Sequence, residues 1–454
     1  MGWPVKVLVV GGGGREHALA LALAESGAEV VVSPGSRGMQ AAPSRPFRAA
    51  DGARSVPFRV VDGPPEEVAA DLVVVGPEAP LADGLADRLR ARGRRVLGPG
   101  ADGARLESSK AWAKELLRDC GVPTASFRRF DSLEPALEYL AATGGPYVVK
   151  ADGLAQGKGV LVTSSRAEAA ADVTEKLAGR RVGDAGRVVL IEEALVGPEL
   201  SVLALCDGER LVCLPPARDA KRLADQDRGP NTGGMGAFAP AASAAVLEEV
   251  RERIVAPTVA GLRARGIDYR GVLYAGVMLT ADGPKVIEFN VRFGDPEAQV
   301  VLPIVAADWV DLFAAAADGR LSEGDLPAEG AAVAVVVAAA GYPDAPRRGD
   351  PVSGVDAAEA SDPRVRVLQA GTDVGADGRL VAHGGRVVDV VARADDLREA
   401  RRIAYRAVGL VELAGAQFRR DIAAAEDSGA AEDSGAAVAG RGGRVSGLQS
   451  TESA

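Results

Sequence analysis

The stretch "KVIEFNVRFGDPE", residues 285–297, decides how this chain is read. Glu288, Asn290 and Arg292 occupy alternate positions, with Ile287, Phe289 and Val291 between them. Side chains at i, i+2 and i+4 of a β-strand share one face. The pattern predicts a strand with its apolar residues on a core and a carboxylate, an amide and a guanidinium on the other side. Three polar residues in alternation also describe an ordinary half-exposed strand. Against that, the next turn brings Asp295 and Glu297 to the same strand end. One carboxylate and one amide oxygen suit Mg²⁺, which completes its shell with phosphate oxygens and water. An arginine on the same face suits a phosphoryl or carboxyl oxyanion.

Four stretches upstream carry related chemistry. In "KADGLAQGKGV" (150–160), Gly153, Gly157 and Gly159 flank Lys158. Backbone N–H groups and one ammonium in such a loop close over phosphates. It lacks Walker A spacing and alone reads as readily as a turn; Lys150 on the preceding strand strengthens the phosphate reading. In "IEEALVGPELSV" (191–202), Glu192, Glu193 and Glu199 surround Ala194–Leu195–Val196. That edge suits a flat base with a carboxylate for a ribose, or is a solvated acidic loop. "DRGPNTGGMGAFAP" (227–240) offers Asn231, Thr232, Gly233 and Gly234 as an anion cradle, or as a structural Ω-loop. "VVGGGGREHAL" (9–19) imitates a dinucleotide fingerprint, but Glu16 stands where its last glycine belongs. NAD is therefore not implied, while an anion at the helix N-terminus is allowed. His17 is read as structural.

With 454 residues the chain exceeds one ordinary core, and about two to four domains are expected. A net charge of −10 argues against a general nucleic-acid role. No apolar run is long enough to span a bilayer, and "MGWPVKVLVVGGGG" reads as a first strand rather than a targeting segment. The three cysteines, Cys120, Cys206 and Cys213, fit neither a zinc motif nor a disulfide framework. Reduced thiols in a cytoplasmic protein are expected. With His17 and His383 the only histidines, His-based catalysis has little to work with.

Strand-like runs at 5–12, 28–35, 71–78 and 94–100, with helical stretches at 16–27 and 81–93, predict an open parallel α/β sheet. A second block from Lys110 predicts a helix to Gly121, strands at 147–153 and 187–195, and hairpins turning at Asp207–Gly208 and Asp282–Gly283. Between those hairpins one helix is expected over 250–266, kinked at Pro257. A third block from about 331 adds three strands and a helix at 396–409. The repeat "EDSGAAEDSGAA" (426–437) reads as disordered low complexity.

The motifs "GGREHAL", "VGPEAPL", "KADGLAQGKGV", "GPNTGGMGAF" and "VIEFNVRFGDPE", in this order, resemble the ATP-grasp ligases. Within them the chain is most similar to the phosphoribosylamine–glycine ligases, with "RFGDPEAQ" (292–299) matching that family's signature and only the tail uncovered. The resemblance implies an α/β fold of four parts. These are an N-terminal open parallel domain (1–106), an ATP-grasp domain (107–328, lid subdomain about 123–193), a small C-terminal α+β domain (329–423) and the tail (424–454).

The activity it implies is ATP-dependent amide synthesis. Glycine's carboxylate takes the γ-phosphate to give an acyl phosphate, and 5-phosphoribosylamine displaces phosphate, a step of purine biosynthesis. By resemblance, Glu288 and Asn290 hold Mg²⁺ or Mn²⁺ against ATP. Lys110, Lys150 and Lys158 neutralise phosphate, with Gly157 and Gly159 in the lid loop. Glu193 and Leu195 meet adenine, Glu199 the ribose, and Glu192 belongs to the same nucleotide-binding set. Arg292, Lys158 and Asp219 are the catalytic candidates. The substrate side comprises Gly13, Gly14, Gly35, Ser36, Glu78, Lys221, Arg222, Asn231, Thr232, Gly233, Gly234, Asp295 and Glu297. Partners are small molecules only, without nucleic acid or membrane, and the protein is expected as a monomer.

Departures from the family pattern occur at Gly12, where an Asn is usual, at Ser36 and Met39 in the second-strand loop, and at Arg218 and Ala220, where Gln and His are usual. All fall in segments that read as the acceptor side. They leave open a paralogous ligase with another acid or amine. A non-catalytic nucleotide-binding scaffold is the remaining alternative, and it has no need of Lys158, Glu288, Asn290 and Arg292 together.

Overall fold

The β-branched runs of the first hundred residues build a five-stranded, all-parallel sheet in the order Phe58–Val60, Glu29–Pro34, Lys6–Gly11, Leu72–Val75, Arg95–Leu97. The computed structural model describes residues 4–42, 45–48, 58–154 and 159–424. Val7–Val10, Val30–Val32 and Leu72–Val75 are buried, as continuous apolar strands of a parallel sheet must be. The helix Gly14–Glu25 starts directly after the first strand. The strand ends that face it form one wall of the cleft described below, as expected for an open α/β sheet.

The second block splits into two antiparallel sheets. Phe127–Phe130, Val189–Glu193, Tyr147–Ala151 and Val160–Thr163 form one, with its own small core around Phe130, Leu140, Val149 and Val173. Leu211–Cys213, Glu199–Asp207, Arg270–Thr280 and Gly283–Asn290 form the other. Both expected hairpins are present. The helix expected over 250–266 is instead Ala244–Val250, a π-helical stretch Arg251–Val255, and Ala256–Ala264. Pro257 sits in the first turn of the last piece, where its missing N–H costs least, and the wide turn upstream absorbs the irregularity.

The C-terminal sheet runs Arg218–Asp219, Gly236–Ala239, Ala331–Ala338, Arg386–Ala394, Val365–Gln369. Its first two strands come from the central block, so the two parts are stitched through shared strand pairing. The helix Leu397–Val408 packs Ile403, Ala404 and Ala407 on this sheet. The tail repeat at 426–437 lies outside the described residues.

One irregularity decides which face of the opening strand meets the cleft. Val286 pairs with Val277 and Glu288 with Gly276, leaving Ile287 unopposed in a β-bulge. Before the bulge the buried residues are Pro284 and Val286; after it they are Phe289, Val291 and Phe293. A bulge shifts the alternation by one residue. Without it Glu288 would follow Val286 into the core. The expectation for Phe289 and Val291 is met; Ile287 is corrected, since it lies half-buried at the cleft wall.

Candidate active site

The parallel domain, the lid sheet and the strand Gly283–Asn290 enclose a cleft of ≈ 480 Å³. Glu288, Asn290 and Arg292 all line it, answering why the strand carries them on one face.

One wall is a lysine cluster. The helix Lys110–Asp119 is capped by Ser109, whose hydroxyl accepts from the Trp112 N–H at 3.2 Å. It presents Lys110 and Lys114 one turn apart. Glu192 Oε2 lies 3.0 Å from Lys114 Nζ and 3.1 Å from Lys150 Nζ, all three buried. Its other oxygen, Oε1, is buried without a hydrogen-bond partner. Lys150 also donates to the Ile287 carbonyl at 2.9 Å, so the bulge serves as an acceptor for it. Lys114 donates to Thr124 Oγ1 at 2.7 Å. Burial, abetted by Lys150 and opposed by Glu192, lowers Lys114 to about 8. Burial also lowers Lys110, against the pull of Glu288. Lys114 was not singled out from the sequence; its i+4 spacing from Lys110 was the available signal.

Burial would raise the Glu288 carboxyl, but Lys221, Lys150, Lys110 and Arg292 outweigh it and hold the group below its ordinary value. Lys221 Nζ lies 2.9 Å from Asp219 Oδ1 and 2.9 Å from Glu199 Oε2. Burial works against its charge, yet Asp219, Tyr274, Glu199 and Glu288 keep it firmly protonated. Glu297 accepts from the Tyr274 hydroxyl at 2.7 Å and from Ser201 Oγ at 3.2 Å. Burial and the neighbouring Asp219 push its carboxyl up.

Arg292 is clamped rather than free. Its Nη2 meets Glu107 Oε1 at 2.9 Å, its Nε meets Glu78 Oε2 at 3.2 Å, and its Nη1 donates to the Phe293 carbonyl at 3.3 Å. Glu107 Oε2 accepts from the Val291 N–H at 2.8 Å. The parallel domain thus supplies two carboxylates that aim the guanidinium. Glu78 was among the expected residues; Glu107 was missed, because nothing local marks it.

At the far end, Arg15 pairs with Glu16 at 2.6 Å and donates to the Phe293 carbonyl at 3.2 Å. Glu16 Oε2 accepts from the Gly13 N–H at 2.7 Å. Asp295 sits between Arg386 at 2.8 Å and the Gln299 amide at 2.7 Å. Thr232 and Gly233 line the cleft beside them. A methyl at Gly13 would come within 3.8 Å of Asp295 Oδ2, which puts the glycine turn at this end.

Several expected residues lie elsewhere. Gly157 and Lys158 fall outside the described residues; Gly159 lines the cleft. Glu193, Leu195 and Glu199 are not among the lining residues; Glu193 Oε1 accepts from the Ser126 N–H at 3.0 Å, and Glu199 reaches the cleft through Lys221. Arg222 is turned to its own hairpin, donating to the Gly229 carbonyl at 2.8 Å, and Asn231 is exposed across from it. Gly35 packs behind the site: its N–H donates to the Gly11 carbonyl at 3.0 Å, and a side chain at Gly12 would lie 2.6 Å from its carbonyl oxygen. Gly12 therefore lets the two loops touch. Ser36 caps a short helix, accepting from the Met39 N–H at 3.0 Å, and Met39 is buried in the core. Ala220 lines a separate cavity of ≈ 350 Å³ with Phe238 and Arg419. Ser36, Met39 and Ala220 thus stand outside the residues that line the cleft.

No group of three or more His, Cys, Asp or Glu side chains suited to a metal occurs among the described residues. Glu288 and Asn290 are nonetheless hard oxygen donors, and the ionised state of Glu288 fits them to a cation that arrives with phosphates.

Comparison with known proteins covers the same span. Residues 5–107 match the N domain of phosphoribosylglycinamide synthetase, 108–298 its ATP-grasp (A) domain and 332–425 its C domain. A phosphoribosylamine–glycine ligase of Caulobacter vibrioides is 45% identical over 423 residues, 92% of this chain and 97% of the relative. One of Streptomyces coelicolor is 46% identical over 432 residues, 92% of this chain and 99% of the relative. The crystal structure of the Thermotoga maritima phosphoribosylamine–glycine ligase superposes with TM-score 0.80 at 35% identity, covering 92% of this chain and 100% of that one. A biotin carboxylase domain from Hydrogenobacter thermophilus, in complex with MgADP, shares the fold with TM-score 0.65 at 19% identity, covering 92% of each chain.

Proposed function

The chain belongs to the phosphoribosylglycinamide synthetase family, and from that premise we propose how its cleft divides the work of the reaction. It is a carbon–nitrogen ligase of purine biosynthesis that uses ATP to join glycine to 5-phosphoribosylamine. Lys110, Lys150 and Lys158 neutralise the nucleotide phosphates, and Lys114 with Glu192 holds Lys150 in place. Glu193 and Leu195 meet the base, and Glu199 the ribose. Glu288 and Asn290 would hold Mg²⁺ or Mn²⁺, which would supply charge neutralisation of the nucleotide phosphates. Arg292, aimed by Glu78 and Glu107, stabilises charge on the oxygens of the reacting carboxylate and phosphoryl group. Asp219 keeps Lys221 charged beside them. Thr232, Gly233, Asp295 and the Gly13–Gly14 turn take the phosphoribosyl end.

The observation that carries this division is the convergence of Lys110, Lys150, Lys221 and Arg292 on Glu288 in one cleft. Each of these cations can exchange part of its carboxylate contact for a phosphate oxygen, which suits a polyphosphate. Among the described residues no cysteine or histidine lines the cleft, and the reading is that the acid is activated on ATP itself. Incubation with ATP and glycine but no amine, with hydroxylamine as trap, is expected to give glycine hydroxamate with ADP and phosphate. AMP and pyrophosphate would overturn the scheme, since they mean adenylation. No helix of the described residues is long and apolar enough to cross a membrane. A cytoplasmic monomer goes with this reading, and sedimentation velocity tests the monomer.

A further inference from the structure

The glycine turn that begins the first helix has a carboxylate behind it. Asp389, on the strand Arg386–Ala394, is 1% exposed, and a methyl at Gly14 would lie 2.0 Å from its Oδ2. Gln299, fully buried, donates from one Nε2 to Asp389 Oδ2 at 3.0 Å and to Asp295 Oδ1 at 2.7 Å. Asp389 Oδ1 and Gln299 Oε1 are both buried without hydrogen-bond partners. Two carboxylates thus share one amide donor, and one oxygen of Asp389 and the amide oxygen of Gln299 are each left without a partner. Two lone-pair acceptors left facing an apolar interior are costly, and a proton on Asp389 relieves that cost by supplying a donor.

The charged surroundings are few. From the first helix come Arg15 and Glu16, paired with each other, and His17, whose Nδ1 accepts from the Gln369 N–H at 2.9 Å. Burial lowers His17 to about 3, so it stays neutral. From the signature turn come Asp295 and Glu297; from Asp389's own strand comes Arg386, already paired with Asp295 and neighboured by Tyr342. From the adjacent strand comes Arg366, engaged by the Pro46 and Pro363 carbonyls at 2.7 Å each. The strand Ala331–Ala338 offers only Ala and Val. Arg386 is thus the near cation, and Asp295 holds it. Burial first and Asp295 second push Asp389 up to about 7, against Arg386 and Gln299.

We propose that Asp389 is a positioning residue for the phosphorylated substrate, whose proton decides how strongly the Gly13–Gly14 turn takes a phosphate. When protonated, it leaves the helix N-terminus free to attract an anion. When ionised, it sets a like charge directly behind the turn and breaks the sharing of Gln299. The inference rests on the reading that Gly13–Gly14 receives the phosphoribosyl phosphate.

The test is titration calorimetry of the full chain with glycinamide ribonucleotide at about pH 6 and about pH 8.5, on wild type and Asp389→Asn. Ionisation of the ligand phosphate is common to both proteins and cancels in the comparison. Equal affinities are expected at the lower pH, with the variant about tenfold tighter at the higher pH; the KM for ATP is expected to match in both proteins. Asp389→Ala, which also removes the charge, serves if the first variant does not fold and is expected to show the same difference. Parallel pH dependence in wild type and variants overturns the proposal, as does a loss of thermal stability with no change in that dependence. If wild type binds glycinamide ribonucleotide at neither pH, the phosphate reading of the glycine turn fails first and takes the proposal with it.

Discussion

Lys150 Nζ donates to the Ile287 carbonyl at 2.9 Å, joining the lid sheet to the bulge that turns Glu288 into the cleft. The same ammonium is one of two on Glu192 Oε2. Lys150→Met therefore removes the proposed phosphate partner, exposes a bare carbonyl and leaves Glu192 with Lys114 alone. The KM for ATP is expected to rise about tenfold or more, since a charged hydrogen bond is worth about 1.5–3 kcal/mol. Steady-state kinetics at saturating glycine check it; an unchanged KM removes Lys150 from the nucleotide site.

Glu288→Ala is expected to lower ATP turnover by about a hundredfold or more with the fold retained, because the cation that Glu288 is proposed to hold would supply several kcal/mol. Wild-type rate at limiting Mg²⁺ would exclude the site. The pH effect has a definite sign. Glu288 is held below its ordinary value by surrounding cations. Its stabilisation is present above the unfolded value of about 4.3 and is lost as pH falls through the lower folded value. The variant is therefore more destabilised near neutrality than in strong acid, as urea melts at the two pH values measure.

The Arg292–Glu107 pair, at 2.9 Å and largely buried, gives a third test. Glu107→Ala leaves the guanidinium with Glu78 and unbinds the Val291 N–H. Breaking a buried pair costs about 3–5 kcal/mol, so denaturant melts are expected to shift by that order. Glu107→Gln keeps the Val291 contact and is expected to recover part of the stability but not kcat, because the aim of Arg292 depends on charge.

Ala220 bears on substrate identity. It lines the second cavity with Phe238 and Arg419, not the cleft. Ala220→His is expected to leave kcat/KM for glycine and 5-phosphoribosylamine within about twofold, in line with substitutions that touch no site feature. A gain of tenfold or more would show that the missing histidine acts on the substrate after all.

Much of this site was legible in local sequence. Alternation at 288, 290 and 292 identified the strand and its polar face. The glycine turn at 11–14 and the hairpin turns at Asp207–Gly208 and Asp282–Gly283 were visible because local backbone geometry selects residue type. Gly157, Lys158 and the tail repeat lie outside the described residues. Ser36 and Met39 read as loop residues in the sequence, whereas in the fold a short helix caps on one and buries the other.

What the sequence by itself determined is the set of elements and the chemical character of each, since periodicity and turn chemistry act over a few residues. What only the tertiary structure decided is phase and partnership. Ile287 is left unpaired because the opposing strand Arg270–Thr280 offers one residue fewer at that point, and no pattern within 285–297 announces it. Glu107 reaches Arg292, and Asp389 reaches Gly14, only when segments far apart in the chain pack on one another. A buried charge takes its partner from whatever packing brings within about 4 Å, and that distance is set by the whole fold rather than by neighbours along the chain.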